Sequence, residues 1–187
     1  MSSRLDEILK PGPKEIVEDL ETVVIREATA LRKNDRVTQL NEYYSNVSSL
    51  LPSFQTKIAQ ISNKFHQYGR LFHIMPKNNY FQRMSRNDQG RDSFANTEID
   101  VLALQQQQHF MRIQYIFSSQ GTECEIHRSI FSGNQGAQLI DKPEAKPVLV
   151  LRYQGNSLPD FNALASDLDK AVAKAVTLIS HRIQAGK

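Results

Sequence analysis

A single cysteine, Cys124, stands among 187 residues, so the chain forms no internal disulfide and no zinc site built from several cysteines. Long apolar runs are missing too. Stretches such as Val148 to Leu151 fall far short of the roughly 20 residues that cross a bilayer, and no membrane span is expected. The opening MSSRLDEILKPGPKE mixes charges with a Pro-Gly-Pro break, where a secretory signal needs unbroken apolar sequence. Residues 1–13 therefore read as a flexible leader, and the protein as intracellular, cytoplasmic or nuclear. In that setting the glycosylation pattern Asn46-Val-Ser48 has no meaning.

Signatures of chemistry are also scarce. There is no P-loop, no dinucleotide glycine fingerprint, no HExxH and no nucleophile elbow, and no internal repeat. His66, His73, His109 and His181 are scattered without ligand spacing. Glu123, Glu125 and His127 fall on one face of a strand, where side chains two apart could share a metal, but any solvent-facing strand shows such alternation. Cys124 and His127 differ by an odd number and so point to opposite faces, which prevents a nucleophile and base pair; Cys124 reads as a small buried hydrophobe. No cofactor or metal is expected, and an enzyme less so than a binding protein.

One further absence is local. From Tyr43 to Asn87 there is no Asp or Glu, while Lys57, Lys64, Arg70, Lys77, Arg83 and Arg86 supply six positive charges. The flanking segments are close to neutral, so the net charge of +3 resides in this stretch.

What is present is mostly helical spacing. Ile16, Val17, Leu20, Val23, Val24, Ala28 and Leu31 predict a first helix over 14–33, with acids in its first turns and Arg32-Lys33 at its end, as the helix dipole favours. Asn34-Asp35 is the expected break. Next, Val37, Leu40, Tyr44, Val47, Leu51, Phe54, Ile58, Ile61, Phe65, Tyr68 and Phe72 recur at alternating steps of three and four, the schedule of a coiled-coil-like seam. Pro52 either kinks this helix or divides it in two. Folded back on each other, the two segments form a long helical hairpin over 14–72. Five aromatics in the seam disfavour a simple two-stranded zipper and favour a bundle or mixed complex.

Residues 73–97 carry turn formers and little periodicity and read as a basic loop. Alternating apolar residues then flank the glutamines at 105–108, with Ile99, Val101 and Ala103 before them and Met111, Ile113, Tyr115 and Phe117 after. The run therefore reads as a hairpin turn, not low complexity. Cys124, Ile126 and Ile130 continue an antiparallel meander, and Val148 to Tyr153 forms a fourth strand, apolar on both faces and so expected to be central or covered. Ser157-x-x-Asp160 with Pro159 opens a final helix whose buried face is Phe161, Leu164, Leu168, Val172, Ala175, Ile179 and Ile183. The expectation is an α+β fold: a helical hairpin, then a four-stranded antiparallel sheet over 98–187 with the last helix on one face.

Functionally, a seam this long points to a non-enzymatic assembly or adaptor protein that binds another protein, or a second copy of itself, through Tyr44, Leu51, Ile58, Phe65 and Phe72. An alternative partner is nucleic acid or another polyanion. Arg70, Lys77, Tyr80, Arg83, Arg86 and Arg91 interleave cations with an aromatic ring, as phosphate contact and base stacking require.

Overall fold

The computed structural model describes residues 13–67, 72–77, 85–86, 90–103, 109–134, 139–141 and 146–185. The fold is α+β. Two helices come first, α1 (Pro13–Ser48) and α2 (Leu51–Gln67). Among the described residues seven strands follow: β1 (Phe72–Lys77), β2 (Ser85–Arg86), β3 (Asp92–Ala103), β4 (His109–Gln120), β5 (Glu123–Asn134), β6 (Leu139–Asp141) and β7 (Val148–Gln154). Helix α3 (Phe161–Ala185) closes the chain. The chain divides into two compact units, residues 1–39 and residues 40–187.

The expected break at Asn34-Asp35 does not occur, because α1 runs through it to Ser48. Asn and Asp cost only a few tenths of a kcal/mol more than better helix formers, and neither Gly nor Pro stands between Lys14 and Pro52 to force a stop. The helix ends where Pro52 demands it. Lacking an amide hydrogen, Pro52 leaves the Ser48 carbonyl unserved, and the last turn tightens, with the Leu50 amide donating to the Val47 carbonyl at 2.9 Å. Ser48 and Ser49 turn their hydroxyls onto the carbonyls of Ser45 and Asn46. Pro52 then lies in the first turn of α2, where a missing donor costs nothing.

β3, β4, β5 and β7 are the four long strands of an antiparallel sheet. Short strands extend both sides: β1 and β2 pair with β3, and β6 pairs with β5 beyond β7. Two of these additions correct the expected loop at 73–97. Phe72 and Ile74 alternate into the core, and Pro76 is tolerated because β1 pairs only with β3 among the described residues. β7 also differs from expectation. It is an outer strand with Val148 and Leu149 about 40% exposed, paired to β5 with an irregularity between Ile126 and His127. An extra residue there breaks the alternation, so its two apolar faces reflect a bulge and not burial on both sides.

The glutamines at 105–108 lie outside the described residues, but the strands on either side pair as a hairpin, with Leu102 opposite Phe110. The next turn is the two-residue Gly121-Thr122, with Gly121 at φ 62, the left-handed conformation that a tight hairpin asks of glycine.

One face of the sheet is apolar. Ile99, Val101, Met111, Ile113, Tyr115, Ile126 and Ile130 point from it with at most 1% exposure. Upon it lie α3, through Leu164, Leu168, Ala171, Val172, Ala175 and Ile179, and α2, through Phe54, Ile58 and Ile61. Phe54 meets Tyr115 edge to face at 5.8 Å. The last turns of α1 join the same core, with Tyr43 edge-on to Phe94 at 5.8 Å.

Candidate functional site

The described arm of α1 within the first unit differs from every other helical segment. All side chains from Thr22 to Thr38 are exposed, including Val24 at 62%, Ile25 at 65% and Leu31 at 64%. Val24, Ala28 and Leu31 follow one another at steps of four and three, so they share one helix face. A helix in water holds its shape mainly by burying such a face, and alone it is only marginally stable. This arm is therefore an apolar stripe without cover among the described residues of its unit.

The seam beyond it behaves differently. Leu40, Val47, Phe54, Ile58 and Ile61 are 5% exposed or less, sunk into the second unit's own core. Of the residues expected to meet a partner, Ile58 and Phe72 are buried there. Ile58 packs on the sheet, and Phe72 belongs to β1 and not to a helix. Their contacts are internal because the apolar sheet face supplies the cover that the seam required. Tyr44 is half-buried and lines a small recess with Val47, Leu50, Phe54, Phe117 and Leu164. Its volume is about 20 Å3, room for about one water. The side chains of Leu51 and Phe65 lie outside the described set. The stripe at Val24, Ala28 and Leu31 was visible in the sequence as helix periodicity, but it read as half of a hairpin, and so as self-covered.

The sheet face opposite the helices carries two ion-pair clusters. In the first, Glu125, only 4% exposed, receives Arg91 Nη2 at 2.9 Å and Arg152 Nε at 2.8 Å on its Oε1; Arg91 also reaches Glu123 at 3.5 Å. His127 Nε2 stands 3.7 Å from Glu125 Oε2. Glu123, Glu125 and His127 do share a face, but arginines occupy the carboxylates that would hold a cation. In the second cluster, Arg112 grips Asp100 through two bonds of 2.8 and 3.1 Å, and Gln114 donates to Glu98 at 2.9 Å. The hydrogen bonds to Asp100 push the Arg112 pKa above its ordinary value, and its guanidinium lies 5.3 Å from the Phe110 ring centroid. Charge-assisted pairs of this kind hold strands in register.

Of the expected polyanion contacts, Arg70, Tyr80 and Arg83 lie outside the described residues. Lys77 closes β1 and Arg86 lies in β2, with side chains outside the description. Arg91 is engaged by Glu123 and Glu125. Between sheet and helix, Asp167 of α3 accepts from Tyr115 and Arg128, both at 3.0 Å. Cys124 is fully buried and free, opposite Tyr153 in register; burial pushes its thiol pKa up to about 11, out of nucleophile range at neutral pH. No described helix is long and apolar enough to cross a membrane. No family model, curated protein or solved structure matches the chain.

Proposed function

We propose that the protein is a non-enzymatic assembly or adaptor protein that binds another protein chain along the arm of α1. The observation that carries this reading is the exposure of Val24, Ala28 and Leu31 on one helix face, because exposed apolar residues gathered on one element mark an interaction surface more often than chance. Recognition would follow the familiar mode in which an amphipathic helix lays its apolar face against a complementary one. Arginines locked to carboxylates, a buried thiol and a recess with room for about one water give the second unit the features of a scaffold.

The test compares wild type with Val24→Asp/Leu31→Asp. Both side chains are more than 60% exposed, so the double variant should keep the wild-type melting temperature to within about 2 °C. Light scattering after size exclusion, together with affinity capture, should show an association, with itself or with another chain, that the double variant loses. Association that survives the substitutions, or none in either assay, removes the reading.

A further inference from the structure

The cations of the arm are gathered on one side of α1. At 100° per residue, Arg26, Arg32, Lys33 and Arg36 all lie within about 60° of the line of Thr29, and all five side chains are exposed. Thr22, seven residues before Thr29, stands about 20° from the same line. The two acids of the segment face elsewhere. Glu27 and Asp35 lie about 160° and 120° away, in the sector of Val24, Ala28 and Leu31. The arm thus carries a basic face as well as the apolar stripe.

This arrangement works against the helix. Arg32 and Arg36 are four residues apart and Lys33 and Arg36 three, the spacings at which like charges on a helix repel. No acid stands three or four residues from Arg26, Lys33 or Arg36, and Asp35 is so placed for Arg32 alone. Among the described residues, Arg26, Arg32 and Lys33 enter no ion pair. Because the described side chains from Thr22 to Thr38 are all exposed, their packing does not offset the repulsion. A row of negative charges laid along the face would.

We propose that the basic face of the arm binds the phosphodiester backbone of a nucleic acid, through Arg26, Arg32, Lys33 and Arg36. Three of the four are arginine, whose planar fork grips phosphate oxygens in pairs. From residue 26 to residue 36 the axial rise is about 15 Å, over which one strand of a duplex presents roughly four phosphates, one per about 3.4 Å. Contacts of this kind read charge and not sequence. A lipid surface fits less well. A helix lying on one buries its apolar face, and here Glu27 and Asp35 stand in that sector, where they would meet anionic headgroups. The proposal does not depend on a protein chain docking on the apolar stripe, and the two can hold at once.

The test titrates the full chain with duplexes of about 20 base pairs, one of DNA and one of RNA, between about 50 and 200 mM salt. Affinity for at least one of them should fall about 40- to 150-fold across that range, as three or four phosphate contacts require; the two run side by side tell which backbone the arm prefers. Arg32→Gln/Lys33→Gln, at two exposed positions, should weaken binding at least about tenfold at the lower salt and reduce the slope of log affinity against log salt by about two. Val24→Gln/Leu31→Gln, which spoils the apolar stripe without changing charge, should bind as the wild type does. Hydrogen exchange places the contact: amides at 26–36 should exchange more slowly with a duplex bound.

No binding of either duplex at the lower salt, wild-type affinity in Arg32→Gln/Lys33→Gln, or arm amides indifferent to the duplex overturns the proposal. Loss of binding in Val24→Gln/Leu31→Gln would assign it to the apolar stripe and overturn it as well. Capture by phosphatidylserine vesicles, with neither duplex bound, overturns it in favour of a lipid surface. None of these outcomes touches the capture of a protein chain by the stripe, so the two readings fail separately.

Discussion

Asp167 shows how single residues hold this fold. It projects from α3 into the partly dry space over the sheet and accepts from two donors, the Tyr115 hydroxyl and the Arg128 guanidinium, with Arg128's side chain only 9% exposed. Removing this partly buried carboxylate takes a charged partner from the buried Arg128 and an acceptor from Tyr115, and the loss exceeds the net value of the bonds. Asp167→Ala should therefore cost about 3 kcal/mol, lowering the melting temperature by roughly 6–12 °C in a unit of this size, as calorimetry would show; a change under about 2 °C would mean that water replaces the carboxylate. Cys124 gives a second prediction, with a sign. Its folded pKa of about 11 lies above the ordinary value, so between pH about 9 and 11 the unfolded chain releases a proton that the folded chain keeps. Stability must then fall as pH rises through that window, by up to roughly 1.4 kcal/mol per unit. Burial also raises the Tyr153 pKa, in the same direction. Urea midpoints at pH 7.5, 9 and 10.5 would trace the fall, and iodoacetamide at pH 8.5 should label Cys124 only after unfolding.

Among the elements, α3 was the most legible in the sequence and the first two helices the least. The expected buried face of α3 recurs at Leu164, Leu168, Val172, Ala175 and Ile179, because a stripe of 3.6-residue period against a sheet leaves one solution. Its cap is Asp160, whose Oδ1 receives the amides of Asn162 and Ala163; Ser157 binds back to Gln154 instead. The helical region was legible as helix but not in its packing, for a physical reason: periodicity reports that a face wants cover but not which surface supplies it. Leu40 to Ile61 found the sheet, while the side chains of Val24, Ala28 and Leu31 are exposed. β1 was lost for the opposite reason, since Phe72-x-Ile74 is too short an alternation to outweigh the turn formers around it. Distant pairings such as Tyr43 with Gly155 were beyond any pattern. A Cβ at Gly155 would lie 2.2 Å from the Tyr43 ring, whose other neighbours, Phe94 and the Gly121 carbonyl, leave it little room to yield. Gly155→Ala should cost about 1–3 kcal/mol by overpacking, and less when Tyr43→Ala is already present. Such non-additivity in denaturant midpoints is the mark of direct contact, and additive effects would refute it.

At the scale of the whole molecule, the two units should differ in how they hold their structure. Residues 40–187 bury an apolar sheet face under helices, so their slowest amides open only with the global transition, which costs about 5–15 kcal/mol in proteins of this kind. From Thr22 to Thr38 no described side chain is buried, and helix propensity alone leaves such a segment near the helix–coil balance. Hydrogen exchange should therefore split the chain. In dilute solution the amides of residues 22–38 should exchange no more than about 100-fold slower than an unstructured chain, while those of Ile113, Tyr115, Ile126 and Ile130 should be protected by more than about 10,000-fold. A chain beginning at Leu40 should melt within about 3 °C of the full chain, since none of the described side chains from Thr22 to Thr38 is buried. Concentration then separates the sources of helix stability. If the arm is held by a second copy, protection at 22–38 rises as the protein is concentrated and disappears again in Val24→Asp, while the amides of the second unit exchange as before. Arm protection equal at all concentrations and unchanged by Val24→Asp would mean that α1 stands without a partner.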